Sequence, residues 1–211
     1  MGKIEDKKKL KKEALLESAM ILFTEKGVAE TSVSDITSRA KMAKGTFYLY
    51  FKDKYEIRDH LVARKANEIF ENAHHSMQSK WQTISQMDVE ECITFLVENI
   101  IDQFKESPSL LRFIAKNLSW GVFSNIRIKD LDNRNCMDVF DELLEASAKV
   151  YRQKELMVYM IVELLNSTCY NVILYHMPVG IEQFKKDLIL AVRNILHQFE
   201  DSAGAKQLET A

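Results

Sequence analysis

The run from Lys154 to His176, KELMVYMIVELLNSTCYNVILYH, constrains this chain more than any other stretch. Its length and unbroken apolar character predict a helix, and the helix is apolar nearly all round. Glu163, Asn166, Asn171 and a charged start argue against insertion in a bilayer. A soluble helix without a polar face must be covered on every side. One domain rarely wraps a helix completely, so a second subunit is the economical cover. Pro178 and Gly180 end the run, and Ile181 to Phe199 follows as an amphipathic helix with Phe184, Leu188, Ala191, Val192, Ile195 and Phe199 on one stripe. Val158, Ile161, Leu165 and Val172 of the first helix, with Leu188, Val192 and Ile195 of the second, are therefore expected to form the interface of a two-fold homodimer.

The rest of the chain is also helical in pattern. Two prolines and six glycines in 211 residues leave the apolar periodicities almost unbroken, and nothing alternates with period two. The fold class is all-α. A first helix runs from about Lys8 to Lys26, with Leu15, Leu16, Ala19, Leu22 and Phe23 inward and Gly27 at its stop. A long helix opens at Lys54 and continues to about Trp81. Its early residues Ile57 and Leu61 belong with the N-terminal part, and Ile69, Phe70 and Met77 with a second domain. Trp81 to Asp88 reads as a loop, and Asp88 to Glu106 as a helix. Ser107 and Pro108 cap and start the next helix. Ser119 to Ile128 reads as a bend around Gly121, and Asp130 to Tyr151 as a further helix with Leu143, Leu144 and Ala148 inward. The expected organisation is a head of residues 1–53, a larger domain of 54–200, and a disordered polar tail of 201–211.

Between Ser32 and Lys54 the sequence SVSDITSRAKMAKGTFYLYFKDK predicts two short helices joined by a tight turn, then the start of a third. Ser32 and Asp35 are spaced as a capping box, with Asp in place of Glu or Gln. Phe47 and Phe51 lie four apart and can anchor the second short helix. That leaves Lys44, Thr46, Tyr48 and Tyr50 for the exposed side. A short helix showing water a lysine, a threonine and two tyrosines suits a groove lined with phosphates.

GTFYLYFKDK after a short helix and turn resembles the DNA-binding segment of TetR-family transcriptional repressors. LLESAMILFTEKGVAETSVSDI is similar to that family's first helix, its Gly (Gly27) and the start of its second helix. The resemblance covers residues 10 to 60. Lys41 stands where the family usually has Gly in the turn, and Ala43 where it usually has Ser at the cap. A non-Gly residue at positive φ costs about 1 kcal/mol, and a missing cap about as much. The resemblance implies a three-helix head joined by a shared long helix to a C-terminal ligand-binding and dimerisation domain. It also implies that two C-terminal helices form a four-helix bundle with their symmetry mates. Ser32 would hold a phosphate, Lys44, Gly45 and Thr46 would enter the major groove, and Tyr48 would meet a base edge or the adjoining backbone. Tyr50 and Lys54 would hold phosphates.

The net charge of −2 conceals an uneven split: residues 1–60 hold 13 Lys/Arg against 10 Asp/Glu, and the excess of acid lies beyond them. That suits a dimer of small basic heads on an inverted-repeat operator. Lys7, Lys8, Lys9, Lys11 and Lys12 form either a solvated, partly disordered arm or an attachment to phosphates. Three distant cysteines, with no signal peptide, point to a reducing cytoplasm. No motif for catalysis, metal or cofactor is present. The function expected is that of a ligand-responsive DNA-binding regulator, most simply a repressor released by a small lipophilic effector. The alternative is a helical protein-binding scaffold or co-regulator without an effector.

On the Lys154 helix, Tyr159, Glu163, Asn166 and Tyr170 share a second stripe, at i, i+4, i+7 and i+11. A buried carboxylate needs a partner. It could be an ion pair within the bundle, for instance with Arg193. Otherwise the stripe lines an effector pocket walled by Phe104, Trp120 and Phe123, in which Glu163 would favour a cationic or hydrogen-bond-donating lipophile.

Overall fold

A computed structural model describes residues 2–79, 88–125, 136–147 and 149–201. Among the described residues the chain is helical, apart from one antiparallel bridge between Tyr151 and Glu200. In chain order the helices are α1 (Gly2–Lys26), α2 (Val33–Arg39), α3 (Lys44–Tyr48), α4 (Lys54–Ser79), α5 (Val89–Glu106), α6 (Pro108–Asn117), α7 (Trp120–Asn125), α8 (Cys136–Glu145), α9 (Lys154–Tyr175) and α10 (Ile181–Phe199).

In the head, α1 packs on α2 and α4, and α2 packs on α3. Leu15, Leu16, Ala19, Phe23, Ile36, Phe47, Phe51, Ile57 and Leu61 fill the space between them. Gly27, at φ +86, ends α1 where its amide reaches the Phe23 carbonyl at 3.1 Å. α4 is capped by Asp53, whose carboxylate accepts from the amides of Tyr55 (2.8 Å) and Glu56 (2.9 Å). The same helix then runs on into the body, against α5, α6, α7 and α8. Arg64 ties it back to α1 through Glu13, at 2.6 Å. α9 lies along α5, α6 and α10, and Met157, Val158, Ile161 and Cys169 bring it into the body core.

Several expectations move. α1 begins at Gly2 instead of near Lys8, so the basic run of Lys7 to Lys12 lies on a helix. The break before α7 falls at Leu118 and Ser119, and Gly121 sits inside the helix. Leu118 keeps its amide on the Ile114 carbonyl at 2.8 Å, and the Ser119 hydroxyl accepts the amide of Val122 at 3.3 Å. α8 is shorter than the expected Asp130 to Tyr151, and Tyr151 pairs instead with the end of α10. The loop expected within 81–87, the inward side chain of Ala148 and the tail beyond Asp201 lie outside the described residues.

The largest correction concerns the expected dimer interface. Val158, Ile161, Leu165, Val172, Leu188 and Val192 are all buried within the single chain, and Ile195 is half-buried. They pack α9 and α10 onto their own body, and of the seven only Ile195 keeps surface to offer a second subunit. A helix apolar on every side offers no polar face to show which way is in. The outward stripe of α9 carries Leu156 (44% exposed), Met160, Ser167, Asn171 and Tyr175, and α10 adds Leu190 (58% exposed).

Candidate nucleic-acid interface and ligand cavity

The turn between α2 and α3 aims the head. Ala40 caps α2, Lys41 takes the left-handed conformation at φ +53, and two backbone bonds close a Schellman motif. They run from Lys41 N–H to Ser38 O (3.1 Å) and from Met42 N–H to Thr37 O (2.9 Å). Ala43 then caps α3 with no side-chain hydrogen bond, as its lack of a polar group dictates. α3 is only five residues long and is held by Phe47, which is fully buried, and by Phe51 beneath it. The Phe51 amide still reaches the Phe47 carbonyl at 3.0 Å.

On this anchored turn Lys44 and Gly45 are exposed, and Thr46 and Tyr50 are half-buried. Tyr48 is 54% exposed and stands edge-on to Phe47, with centroids 5.5 Å apart. Leu49 is 80% exposed, an apolar side chain that sequence reasoning missed between two tyrosines. Its signal was available: it falls on neither side of the Phe47–Phe51 anchor. Arg39, Lys41, Lys44 and Lys52 are exposed around it, and none is in an ion pair among the described residues.

At the start of α2 the capping box is complete. The Asp35 amide donates to Ser32 Oγ at 3.1 Å, and the Ser32 amide donates to Asp35 Oδ2 at 2.9 Å. The Lys26 ammonium, also 2.9 Å from Asp35, acts with the cap to hold that carboxyl down at about 2. Ser32 accepts through its oxygen, so its hydroxyl proton remains for an incoming anion. Lys54, expected to hold a phosphate, is already engaged. Two of its protons go to the carbonyls of Ala29 (2.7 Å) and Thr31 (3.1 Å), bracing the loop before α2.

Inside the body, α4, α5, α6, α7, α8 and α9 line a cavity of about 40 Å³. Ala66, Ile69 and Phe70 of α4 form one wall, and Val97, Ile100 and Phe104 of α5 another. Ile114, Leu118, Phe123, Phe140, Ile161, Val162, Leu165 and Asn166 complete it. Asn166 is nine-tenths buried, and its Oδ1 has no hydrogen-bond partner.

Of the expected pocket residues, Phe104, Phe123 and Asn166 line this cavity; Trp120, Tyr159, Glu163 and Tyr170 do not. Trp120 stacks behind Phe123 at 5.3 Å and meets Tyr159 edge-on at 5.2 Å. Tyr170 pairs its hydroxyl with that of Tyr175 at 3.3 Å. Glu163 is half-buried and unpaired with Arg193, whose guanidinium lies 3.4 Å from Glu90 instead. Ile161 and Leu165, expected at a dimer interface, are cavity wall.

The head matches the family described as bacterial regulatory proteins, tetR family, over residues 15–61. The chain's head is of the TetR type. Relatives of this chain include the probable regulator YttP of Bacillus subtilis, 29% identical over 51% of the chain and 50% of YttP. YvdT, an uncharacterised regulator from the same organism, is 48% identical over 21% of the chain and 23% of its own length. The chain thus spans about half the length, or less, of these curated relatives. Solved structures share the fold over nearly the whole length. A TetR-family regulator from Shewanella sp. PV-4 has a TM-score of 0.62 at 18% identity, covering 90% of this chain and 98% of its own. FadR of Bacillus subtilis, solved in complex with stearoyl-CoA, has a TM-score of 0.58 at 18% identity, covering 87% and 98%.

Proposed function

We propose that this chain is a DNA-binding repressor released from an inverted-repeat operator when a lipophilic small molecule enters the α4–α9 cavity. The observation that carries the reading is the double duty of α4. Its Ile57 and Leu61 are locked in the head core, and its Ala66, Ile69 and Phe70 wall the cavity. A cavity of about 40 Å³ holds little more than water. An effector must therefore displace a wall, and moving α4 moves the head. Release follows if the effector prefers the displaced state.

Among the described residues the lining carries no charged side chain, which favours a neutral apolar effector over the cation that Glu163 would have selected. The lone acceptor on Asn166 selects a hydroxyl or amide N–H on it. The apolar acyl chain of the ligand found in Bacillus subtilis FadR is of the kind such a lining accepts. On the DNA side, Ser32 holds a phosphate, Lys44, Gly45 and Thr46 enter the major groove, and Tyr48 reads a base edge. Leu49 meets a thymine methyl, and Tyr50 holds the backbone. Lys54 contributes mainly by bracing the loop. The second copy docks on the outward stripes of α9 and α10, through Leu156, Met160, Tyr175 and Leu190. A regulator of this kind works in the cytoplasm.

The test is binding to a duplex selected from random DNA. Tyr48→Ala is expected to weaken the selected site by about tenfold or more while leaving random DNA nearly unchanged. Equal loss on both would place Tyr48 on the backbone and remove it from sequence reading. Wild-type binding by Tyr48→Ala together with Lys44→Ala would sink the docking itself.

A further inference from the structure

A second and larger concavity, about 620 Å³, opens between the end of α1, the start of α4 and the outer face of α6. Its floor is the stacked pair Phe23 and Phe113, with centroids 6.4 Å apart. Among the described residues, four cations line it against one carboxylate, Glu25. Two are already neutralised. Lys26 pairs with Asp35 at 2.9 Å, and Arg58 pairs with Asp59 while stacking over the Tyr55 ring at 5.3 Å.

Arg112 and Lys116 are different. They sit four apart on α6, one turn above the other, exposed, with no carboxylate partner among the described residues. Like charges at this spacing repel and destabilise a helix. A solvated face would spread them; here they converge on one concave wall. Opposite them Tyr55 is half-exposed in the same cleft, its ring now facing Arg58 at 5.3 Å and the Lys54 ammonium at 5.5 Å, cations that an incoming base would displace or stack upon.

We propose that this cleft binds a small phosphorylated anion carrying a planar ring, a nucleotide in chemical class. Arg112 and Lys116 would take the phosphates, the guanidinium in two-pronged fashion, and Tyr55 would stack on the base. The site joins the head, through Lys26 and Glu25, to the body, through Arg112 and Lys116, so occupancy fixes the angle between them. It needs neither operator binding nor a cavity ligand. It nonetheless shares α6 with the cavity, whose wall includes Ile114 and Leu118 from the opposite face. Anion and effector must then influence each other reciprocally.

Calorimetric titration of the full chain with ADP and with inorganic pyrophosphate tests this. Both are expected to bind saturably and more weakly as salt rises. Arg112→Ala with Lys116→Ala is expected to weaken both by about tenfold or more. Tyr55→Ala is expected to weaken ADP and spare pyrophosphate, and the charge-keeping pair Arg112→Lys with Lys116→Arg to retain pyrophosphate. All three positions are exposed, and far-UV circular dichroism with melting checks that each variant folds. Absence of saturable binding by either probe overturns the proposal, as does equal binding by the double alanine variant. Pyrophosphate binding with ADP excluded overturns the nucleotide class. Loss of nucleotide-free DNA binding in the double variant assigns the cations to the DNA face, and overturns it too.

Discussion

The head and the body are built from the same helices-and-leucine chemistry but hold their shapes differently. In the head, each special backbone position has a local cause. Gly27 stops α1, Ser32 and Asp35 box α2, Lys41 closes a Schellman turn, and Phe47 pins a five-residue helix that could not stand alone. Nothing polar is left orphaned there among the described residues. The body closes through contacts between residues far apart in sequence, such as Glu90 with Arg193 and His197, and it retains a void with an unpaired Asn166 oxygen in the wall. A reading head must keep one shape against DNA. A sensing body must have a second shape within reach, and a cavity with an unsatisfied acceptor lowers the cost of reaching it.

Phe47→Ala should break the comparison most violently. Truncating a fully buried Phe costs about 3–5 kcal/mol, and a head this small has few other anchors. The expected result is loss of DNA binding and an early melting transition for the head, with a separate body transition near the wild-type temperature. A single cooperative transition shifted as a whole would show that head and body are one unit, fused through α4.

Asn166→Leu tests the body's side of the contrast. Leu has the same branched heavy-atom skeleton, its extra bulk falls beside the cavity, and it removes an acceptor whose burial without a partner costs about 1–3 kcal/mol. Thermal unfolding should therefore move to higher temperature, and release of DNA by lipophilic compounds should weaken. A lower melting temperature would mean that the amide is part of the framework after all.

What was legible in sequence follows the same division. The head's cap depends on neighbours within a few residues, so spacing could place it, whereas the left-handed lysine and the uncapped α3 were placed by the resemblance to the family's turn. The body's membership was legible in Phe104, Phe123 and Asn166, but not which aromatic stands in front. Trp120 hides behind Phe123 because the chain breaks at Leu118 instead of Gly121. The partner of Arg193 lies on α5, far upstream in the sequence, where no pattern on α9 could indicate it. The inner and outer stripes of α9 were exchanged because both are apolar, and only the packing of α5, α6 and α10 against one of them decides.

Lys41→Gly has the smallest expected effect and draws the finest line between the two regions. Among the described residues three non-glycine residues hold positive φ: Lys41 in the head, and Gln153 and His176 at the two ends of α9. At Lys41 the substitution relieves about 1 kcal/mol of left-handed strain and keeps both backbone bonds of the turn. It also loosens the unfolded chain, which returns about 0.4–1 kcal/mol. The net gain in stability is thus a few tenths of a kcal/mol at most. DNA affinity should move the other way, because an exposed cation beside α3 is lost, and the slope of log affinity against log salt should fall by about one unit. Gln153→Gly and His176→Gly involve the same two opposing contributions but leave that slope alone, since both lie in the body. If all three variants melt together and share one salt slope, Lys41 is only a turn residue, and the reading face ends at α3.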